Sequence, residues 1–514
     1  MKKHAKLAFI IVLVGMVAAG IWRAIEPKLS DIAQVDTSDA SGKKGTIIIG
    51  VDSWVGYFPL CSPQLKKRLR RADYGLKCVD DAADYQDRFK KLKKSEYQFA
   101  VATVDSYILN GEDYDYPGPV ISVIDESKGG DAIVAWKDKY ATLDDLKKDN
   151  EFALAYTPDS PSHHLIKSVA SHFDIKNLRD GGRHIKTEGS AAALDALLDK
   201  QADVAVLWEP EVSKALSKKG IVRLLGTEDT KQLIVDILIA SQRVVKNEPD
   251  LIKVFLKEYF RALKYYREHQ DELVEDIADH YGIRKKQSMA LLKGVEWVTL
   301  SQNAESWYGV SAAGYSEEAL ITTIESAVDV LLENEDFDSN PVPDEDPYRL
   351  TNSRFINELY NDIGTTGFTT SGKSTSSQLV FKPLSNEQWN SLETIGSLKT
   401  RHIVFSSGTS ELTFEGKQEI DEQVADLKHY PNFRVEVRGH TGLRGNKDAN
   451  IALSMERADA VLRYMRITHG LEENRVRAVG FGSGKPLKKL PGESKRRYNS
   501  RLPRVEITLV REAY

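Results

Sequence analysis

Thr46-Ile-Ile-Ile-Gly-Val51, running straight on into Asp52-Ser-Trp-Val-Gly-Tyr57, is the stretch that decides the fold class. A short, β-branched, apolar run suits a strand buried on both faces, as in a parallel sheet. The polar and aromatic residues after it stand beyond its carboxyl end, which is where open α/β sheets hold ligands. Downstream the pattern alternates. Tyr85, Phe89 and Leu92 mark one helix face. Phe99-Ala-Val-Ala-Thr103, Phe152-Ala-Leu-Ala-Tyr156 and Ala202-Asp-Val-Ala-Val-Leu207 read as strands, and Leu194, Leu197 and Leu198 mark another helix. Such alternation predicts an α/β body with largely parallel sheets. From about Leu251 to Glu333 the chain reads as helical, with Ile252, Phe255, Leu256, Tyr259, Phe260 and Leu263 at helical spacing after Pro249.

On the N-terminal side, Lys2, Lys3, His4 and Lys6 precede the apolar run Leu7–Trp22, which Arg23 ends. Positive charge before an apolar run keeps the N-terminus cytoplasmic and sends the rest across. The run falls just short of the ~20 residues that span a bilayer. Ala18, Ala19 and Gly20 lie inside it and bulky Ile21 and Trp22 come next, so it lacks a clean small-residue cleavage site. Residues 1–26 are therefore expected to be an uncleaved signal anchor, with a cleaved, periplasmic or outer-membrane-associated chain as the alternative. Polar residues 27–45 read as a tether. Export places Cys61 and Cys78, the two cysteines of the chain, in an oxidising space. They form a disulfide there or stay as two buried thiols; the spacing leaves both open.

On the C-terminal side, residues 334–348 are acidic and Pro-rich, and Gly364 to Ser377 is rich in Gly, Ser and Thr. We place a linker at 364–379 between a first domain at 46–363 and a second at 380–514. The second alternates again: Ile420, Val424 and Leu427 on a helix, Val435 and Val437 on a half-buried strand, Ala458, Val461, Leu462 and Met465 on a helix, and Val505, Ile507 and Leu509 on a closing strand. This predicts a smaller two-layer α/β sandwich. At 514 residues the chain needs more than one domain. A net charge of −5 argues against nucleic acid as the main partner, and the sequence carries no CxxC or HExxH metal motif. No metal or cofactor is expected.

Four strand-end groups of the first domain point to a small-molecule site. Trp54 and Tyr57 come after the first strand, Thr103 ends the second, and Ser160 and Ser162 in Asp159-Ser-Pro-Ser-His163 open a helix whose free N–H groups attract an anion. Trp208 and Glu209 come after another strand; Trp208 is a ligand wall or a core residue. Glu209 opposes a purely anionic ligand, so the expected solute is small and anionic or zwitterionic. Asp125 and Asp236 read as hinge or cap residues, and His163-His164 as ordinary helix residues.

The second domain resembles the OmpA-like peptidoglycan-binding domain over about residues 400–514. The resemblance rests on Val435-Glu-Val-Arg-Gly-His-Thr-Gly442, Asn450-Ile-Ala-Leu-Ser454, Arg457-Ala458, Val479-Gly-Phe-Gly-Ser-Gly484 and Arg504-Val-Glu-Ile507, with Ile403 to Leu412 similar to the family's first strand and turn. It implies a pocket for the diaminopimelate of the peptidoglycan stem peptide, with Arg457 on its carboxylate and Thr441, Asn450 and one of Arg501 or Arg504 nearby. Asn450 reads as a helix N-cap or a ligand. Gly442 stands where the family carries Asp, which removes the partner for the ammonium; Asp448 is a candidate substitute.

The first domain resembles type-2 periplasmic solute-binding proteins of the nitrate, sulfonate, taurine and thiamine-precursor group over residues 46–363. The matching text is Gly50-Val-Asp-Ser-Trp-Val-Gly-Tyr57, Phe99 to Ser106, Ile124-Asp-Glu-Ser-Lys-Gly-Gly-Asp-Ala-Ile133, Leu143-Asp-Asp-Leu146, Pro158-Asp-Ser-Pro-Ser162, Ala202 to Pro210 and Val235-Asp-Ile-Leu238. It implies two α/β lobes joined by crossover strands, a ligand in the cleft, no chemistry, and a possible ABC permease as partner. The expectation for the whole chain is a non-enzymatic protein, single-pass in the inner membrane, that binds a solute and anchors to peptidoglycan. The alternatives are an envelope sensor or cell-wall scaffold and, from another class, an enzyme of thiamine-pyrimidine type, whose Cys-rich motif the sequence lacks.

Overall fold

The computed structural model describes residues 44–149, 151–158, 160–179, 183–310, 318–364, 381–406 and 409–512. The expected anchor, nearly all of the tether and the linker beyond Gly364 lie outside the described residues. Among the described residues no helix is long and apolar enough to cross a membrane.

Fifteen strands form three sheets among the described residues. They are β1 (Gly45–Val51), β2 (Tyr74–Asp80), β3 (Phe99–Thr103), β4 (Val120–Ser127), β5 (Asp131–Trp136), β6 (Ala153–Tyr156), β7 (Arg183–Lys186), β8 (Val204–Trp208), β9 (Ile221–Gly226), β10 (Val235–Ala240), β11 (Val295–Trp297), β12 (Glu393–Ser397), β13 (Arg434–His440), β14 (Val476–Gly480) and β15 (Arg504–Arg511). The first sheet runs β11-β4-β10-β3-β1-β2, the second β7-β6-β8-β5-β9 and the third β12-β15-β13-β14. Ile47, Ile49, Phe99, Ala100 and Val101 are buried in the first, as their apolar runs require.

The first two sheets are mixed, which corrects the expectation of largely parallel ones. β1 is parallel to β2 and β3, but β10 runs antiparallel to both β3 and β4, and β5 antiparallel to β8 and β9. The cause is topological. The chain leaves the first sheet from β4 into β5 through Lys128–Gly130 and returns from β9 into β10, so each sheet holds a strand that arrives from the other. The result is two lobes on two crossovers. β11 interrupts the stretch read as helical: three residues pair with the open edge of β4.

The helices among the described residues include α1 (Val104–Gly111), α2 (Pro161–Phe173), α3 (Glu211–Leu216), α4 (Gln270–Tyr281), α5 (Ala319–Glu333), α6 (Phe414–Lys428) and α7 (Lys447–His469). The apolar face of α5 joins the first lobe's core through Leu320, Ile324, Ala327, Val328 and Leu331. In the C-terminal domain α6 and α7 cover the third sheet. Ile403–Leu412, read as similar to the family's first strand and turn, makes among its described residues the single bridge Phe405–Leu412. Thr413 N–H and Oγ1 both donate to Val404 O at 3.2 Å, so this segment wraps the start of α6 instead of joining the sheet. Cys61 and Cys78 form a disulfide that ties the first helical turns to β2.

Candidate functional site

The two lobes meet at Gly130–Asp131. From the first lobe, Trp54 Nε1 donates to Asp125 Oδ1 at 3.1 Å, and its ring lies so close over Gly130 that an added Cβ there would sit 2.6 Å away. From the second lobe, Glu209 N–H donates to Gly130 O at 2.8 Å and Trp208 is the register partner of Asp131. The Asp131 carboxylate accepts from Ser162 Oγ at 2.8 Å and Ser127 Oγ at 2.9 Å. Thr103 donates to Ser106 at 2.8 Å, and Ser106 to neighbouring Asp105 at 3.4 Å. Asp105 in turn lies 3.9 Å from His164 Nδ1 on the facing lobe. Ser160 caps α2, accepting from His163 N–H at 3.3 Å. Thus Trp54, Thr103, Ser160, Ser162, Trp208 and Glu209 come from strand ends of both lobes, and Trp54, Ser162, Trp208 and Glu209 reach the Gly130–Asp131 junction directly.

Tyr57 does not share this junction. It is buried in the first lobe and gives its hydroxyl hydrogen to Asp236. Asp236 and Asp125 are adjacent, fully buried carboxyls on the two hinge strands. Burial raises both, Asp125 to about 7 against the hydrogen bonds from Trp54 and Asp236, and the Asp125 charge pushes Asp236 further up, so the pair holds a proton near neutrality. The Glu209 carboxylate accepts from Ser213 N–H and Oγ, which fastens the start of α3.

The junction is acidic. Burial pushes Asp131 from 3.8 up to about 6, its two serine hydroxyls pull it back, and the charges of Asp105 and Glu209 raise it further. The nearby cations already have partners: Lys128 bonds Glu126 and Lys167 bonds Asp336. Burial holds His163 at about 3 and lowers His164 as well, so both imidazoles are neutral at pH 7. Hydroxyls, carboxylates and an indole can bind an ammonium or a polar solute, with the α2 N-terminus beside them for an anionic group.

Two features escaped sequence reasoning. Asp105 stands two residues past Thr103 in the first turn of α1, directly beyond the end of β3, so position could have found it. Arg88 gave no such sign: on its helix it reads as a polar residue beside Phe89. It is fully buried, pairs with Asp52 at 3.1 Å and with Asp81, and donates to Val101 O at 2.7 Å, which anchors the loop that carries Trp54.

In the C-terminal domain the expected pocket residues gather where β13 ends and α7 begins. Thr441 is buried, with its N–H on Gly482 O at 2.9 Å. Arg457, half-buried on α7, donates Nε to Thr409 O at 3.2 Å and lies 5.0 Å over the Phe405 ring. Asn446, not Asn450, caps α7, accepting from Asp448 and Ala449 N–H; Asn450 is one turn in and donates to Arg444 O at 3.0 Å. Arg504 pairs with Glu506 at 2.6 Å at the same sheet end, opposite His440, whereas Arg501 is held by Glu493 through two bonds of 2.7 and 2.9 Å. Asp448 lies in the exposed first turn of α7. At Gly439 an added Cβ would stand 2.0 Å from Ser454 O, so only glycine lets helix and sheet approach this closely. A Cβ at Gly442 meets nothing within 4 Å.

Residues 404–500 match the family model described as the OmpA family. The peptidoglycan-associated lipoprotein of Rhizobium meliloti (strain 1021) is 31% identical over 85 residues, which is 16% of this chain and 48% of that protein. The probable lipoprotein YiaD of Escherichia coli (strain K12) is 33% identical over 108 residues, 21% of this chain and 48% of its own. The chain thus spans about half the length of these relatives. Among solved structures, a putative periplasmic sulfonate-binding protein of Methylobacillus flagellatus KT superposes with a TM-score of 0.49 at 11% identity, over 64% of this chain and 97% of that one. Residues 404–500 thus match the OmpA family, and they follow a two-lobed mixed α/β body.

Proposed function

We propose that the protein is a non-enzymatic, membrane-tethered receptor of the periplasm that holds a small solute between its lobes and grips peptidoglycan through its OmpA-family domain. The convergence of Trp54, Glu209, Ser162 and Asp131 on one crossover carries the solute reading, since a ligand there touches both lobes and the hinge. The carboxylates favour an amine-bearing solute, and the N-terminus of α2 gives its anionic end a place. A zwitterion fits both, whereas a simple anion meets the charge of Asp105, Asp131 and Glu209. The cleft offers binding groups and is assigned no chemical step.

The peptidoglycan reading rests on the OmpA-family match, with Arg457 as the carboxylate partner; its planar fork binds a carboxylate bidentately. Thr441, Asn450 and Arg504 stand around the same sheet end. Residues 1–26 anchor the chain in the inner membrane, so the bulk is held between membrane and wall. A chain held at both ends suits a stationary receptor better than a shuttling carrier, and an ABC permease is a partner only if it comes to this fixed cleft. The test is mass spectrometry of small molecules released on denaturing the purified full chain: an amine-bearing acid supports the reading, and an exclusively inorganic-anion or sulfonate load contradicts it.

A further inference from the structure

The C-terminal domain does more than succeed the two lobes in sequence; it is docked on both and on the crossover between them. On the second lobe, Lys399 N–H donates to His172 O at 2.7 Å, His172 Nδ1 and Tyr430 Oη are 2.8 Å apart, and the Phe173 and Tyr430 rings lie 5.3 Å apart. Gly396 lets the edge of the third sheet press on this lobe: an added Cβ would stand 3.0 Å from Leu143 Cβ and 3.2 Å from the Phe173 ring. The apolar cores of the second lobe and the C-terminal domain are consequently continuous.

The same face reaches the return crossover and the first lobe. Lys231 N–H donates to His429 O at 2.9 Å, Asn432 Nδ2 to Glu228 O at 2.8 Å, and Arg511 pairs with Asp229 at 3.5 Å. On α5, a helix of the first lobe's core, Ser326 Oγ lies 3.0 Å from His429 Nε2 and Glu333 pairs with Lys399 at 3.3 Å. Just beyond α5 the lobes hold each other directly, Asn334 donating to Ser171 Oγ at 3.1 Å and Lys167 pairing with Asp336 at 2.6 Å.

Opening of a two-lobed body needs backbone rotation in its crossovers and separation of the lobes on the flank away from them. Both are tied here by one short segment, residues 429–432, and its neighbours. We propose that the C-terminal domain is a clasp: docked, it holds the lobes closed, and the cleft opens only when it releases one lobe or the crossover. The pocket end of β13, at His440, is six residues from the docked end at Arg434, or ~20 Å at strand rise, so the clasp stays shut or open with its far end on the wall. This goes beyond the proposed function and does not depend on which solute is bound.

The test uses the full chain without added solute. The double variant Ser326→Cys/His429→Cys places two thiols where the side chains are now in contact across the docked face. Hydrogen exchange is then compared between the oxidised and the selectively reduced chain, and in a charge-reversal variant, Asp229→Lys/Glu333→Lys, that repels Arg511 and Lys399. Cleft peptides covering 103–107 and 162–168 should exchange at least ~10-fold more slowly when the clasp is locked than when it is reduced, and faster than in the native chain when it is repelled. Equal cleft exchange in locked and reduced chains overturns the clasp. So does an unchanged rate in a charge-reversed chain whose residues 397–405 have lost protection.

Discussion

Replacing Gly442 by Asp should strengthen the proposed grip on peptidoglycan ~10- to 100-fold. Position 442 is open: an added Cβ meets nothing within 4 Å, and its φ lies outside the left-handed region, so the change brings a carboxylate without strain. It would face the ammonium of a diaminopimelate whose carboxylate is on Arg457. One charge-assisted hydrogen bond contributes ~1.5–3 kcal/mol, which is ~10- to 100-fold in affinity. Arg457→Ala removes the opposite contact and the stacking on Phe405, and should weaken binding by at least the same factor. Thermal melts of both variants should stay close to the native one, because neither side chain is part of the apolar core. Cosedimentation of the full chain with purified sacculi over a range of sacculus concentrations reads the affinity directly. Unchanged binding for Arg457→Ala would refute the reasoning and move the wall contact elsewhere on the domain.

Burial and covalent ties give further expected outcomes. Asp131→Asn should raise the melting temperature at pH 7.5 and have little effect near pH 4: a carboxyl raised from 3.8 to about 6 favours folding fully below its unfolded value and loses that contribution, ~3 kcal/mol, as pH rises through 6. His172 and His429 are stacked with ring centroids 5.2 Å apart and held at about 4 by burial. Docking of the C-terminal domain should therefore be complete above pH 6.5 and weaken as pH falls toward 4, with exchange rising at residues 397–405 and 429–433. Removing the disulfide by Cys61→Ser/Cys78→Ser, which opens a loop of sequence separation 17, should cost ~3 kcal/mol in urea melts.

The β-branched run at Ile47–Ile49 and the strand-end positions of Trp54, Thr103, Ser160, Ser162 and Glu209 were legible because a buried strand and its carboxyl end leave a pattern in adjacent residues. The crossovers were legible only through resemblance. Nothing local in Ile124–Ile133 says that β4 stays in one lobe and β5 enters another. β11 is three residues long, too short to show a period within helices. Arg88 and Tyr57 were obscured by their surroundings: what makes them structural is a buried partner distant in sequence, Asp52 in one case and Asp236 in the other. Asn446 and Asn450 both satisfy the chemistry of a cap, and only the backbone geometry picks Asn446. The docked face left no trace at all. His172 lies on α2, Gly396 on β12 and Tyr430 just past α6, and their meeting is a tertiary fact.

In the proposed function, residues of both lobes hold an amine-bearing solute at Asp131. The most direct measurement is the thermal shift of the full chain against a panel of amino acids, amines, sulfonates, nitrate and phosphate, repeated with Trp54→Ala/Ser162→Ala. A bound solute stabilises by mass action, ~2.7 kcal/mol at a hundredfold excess over its dissociation constant. A zwitterion or amine should give a shift that the double variant abolishes, while the variant itself still melts cooperatively. A shift produced by nitrate or sulfonates alone, or one that the double variant leaves intact, would contradict it.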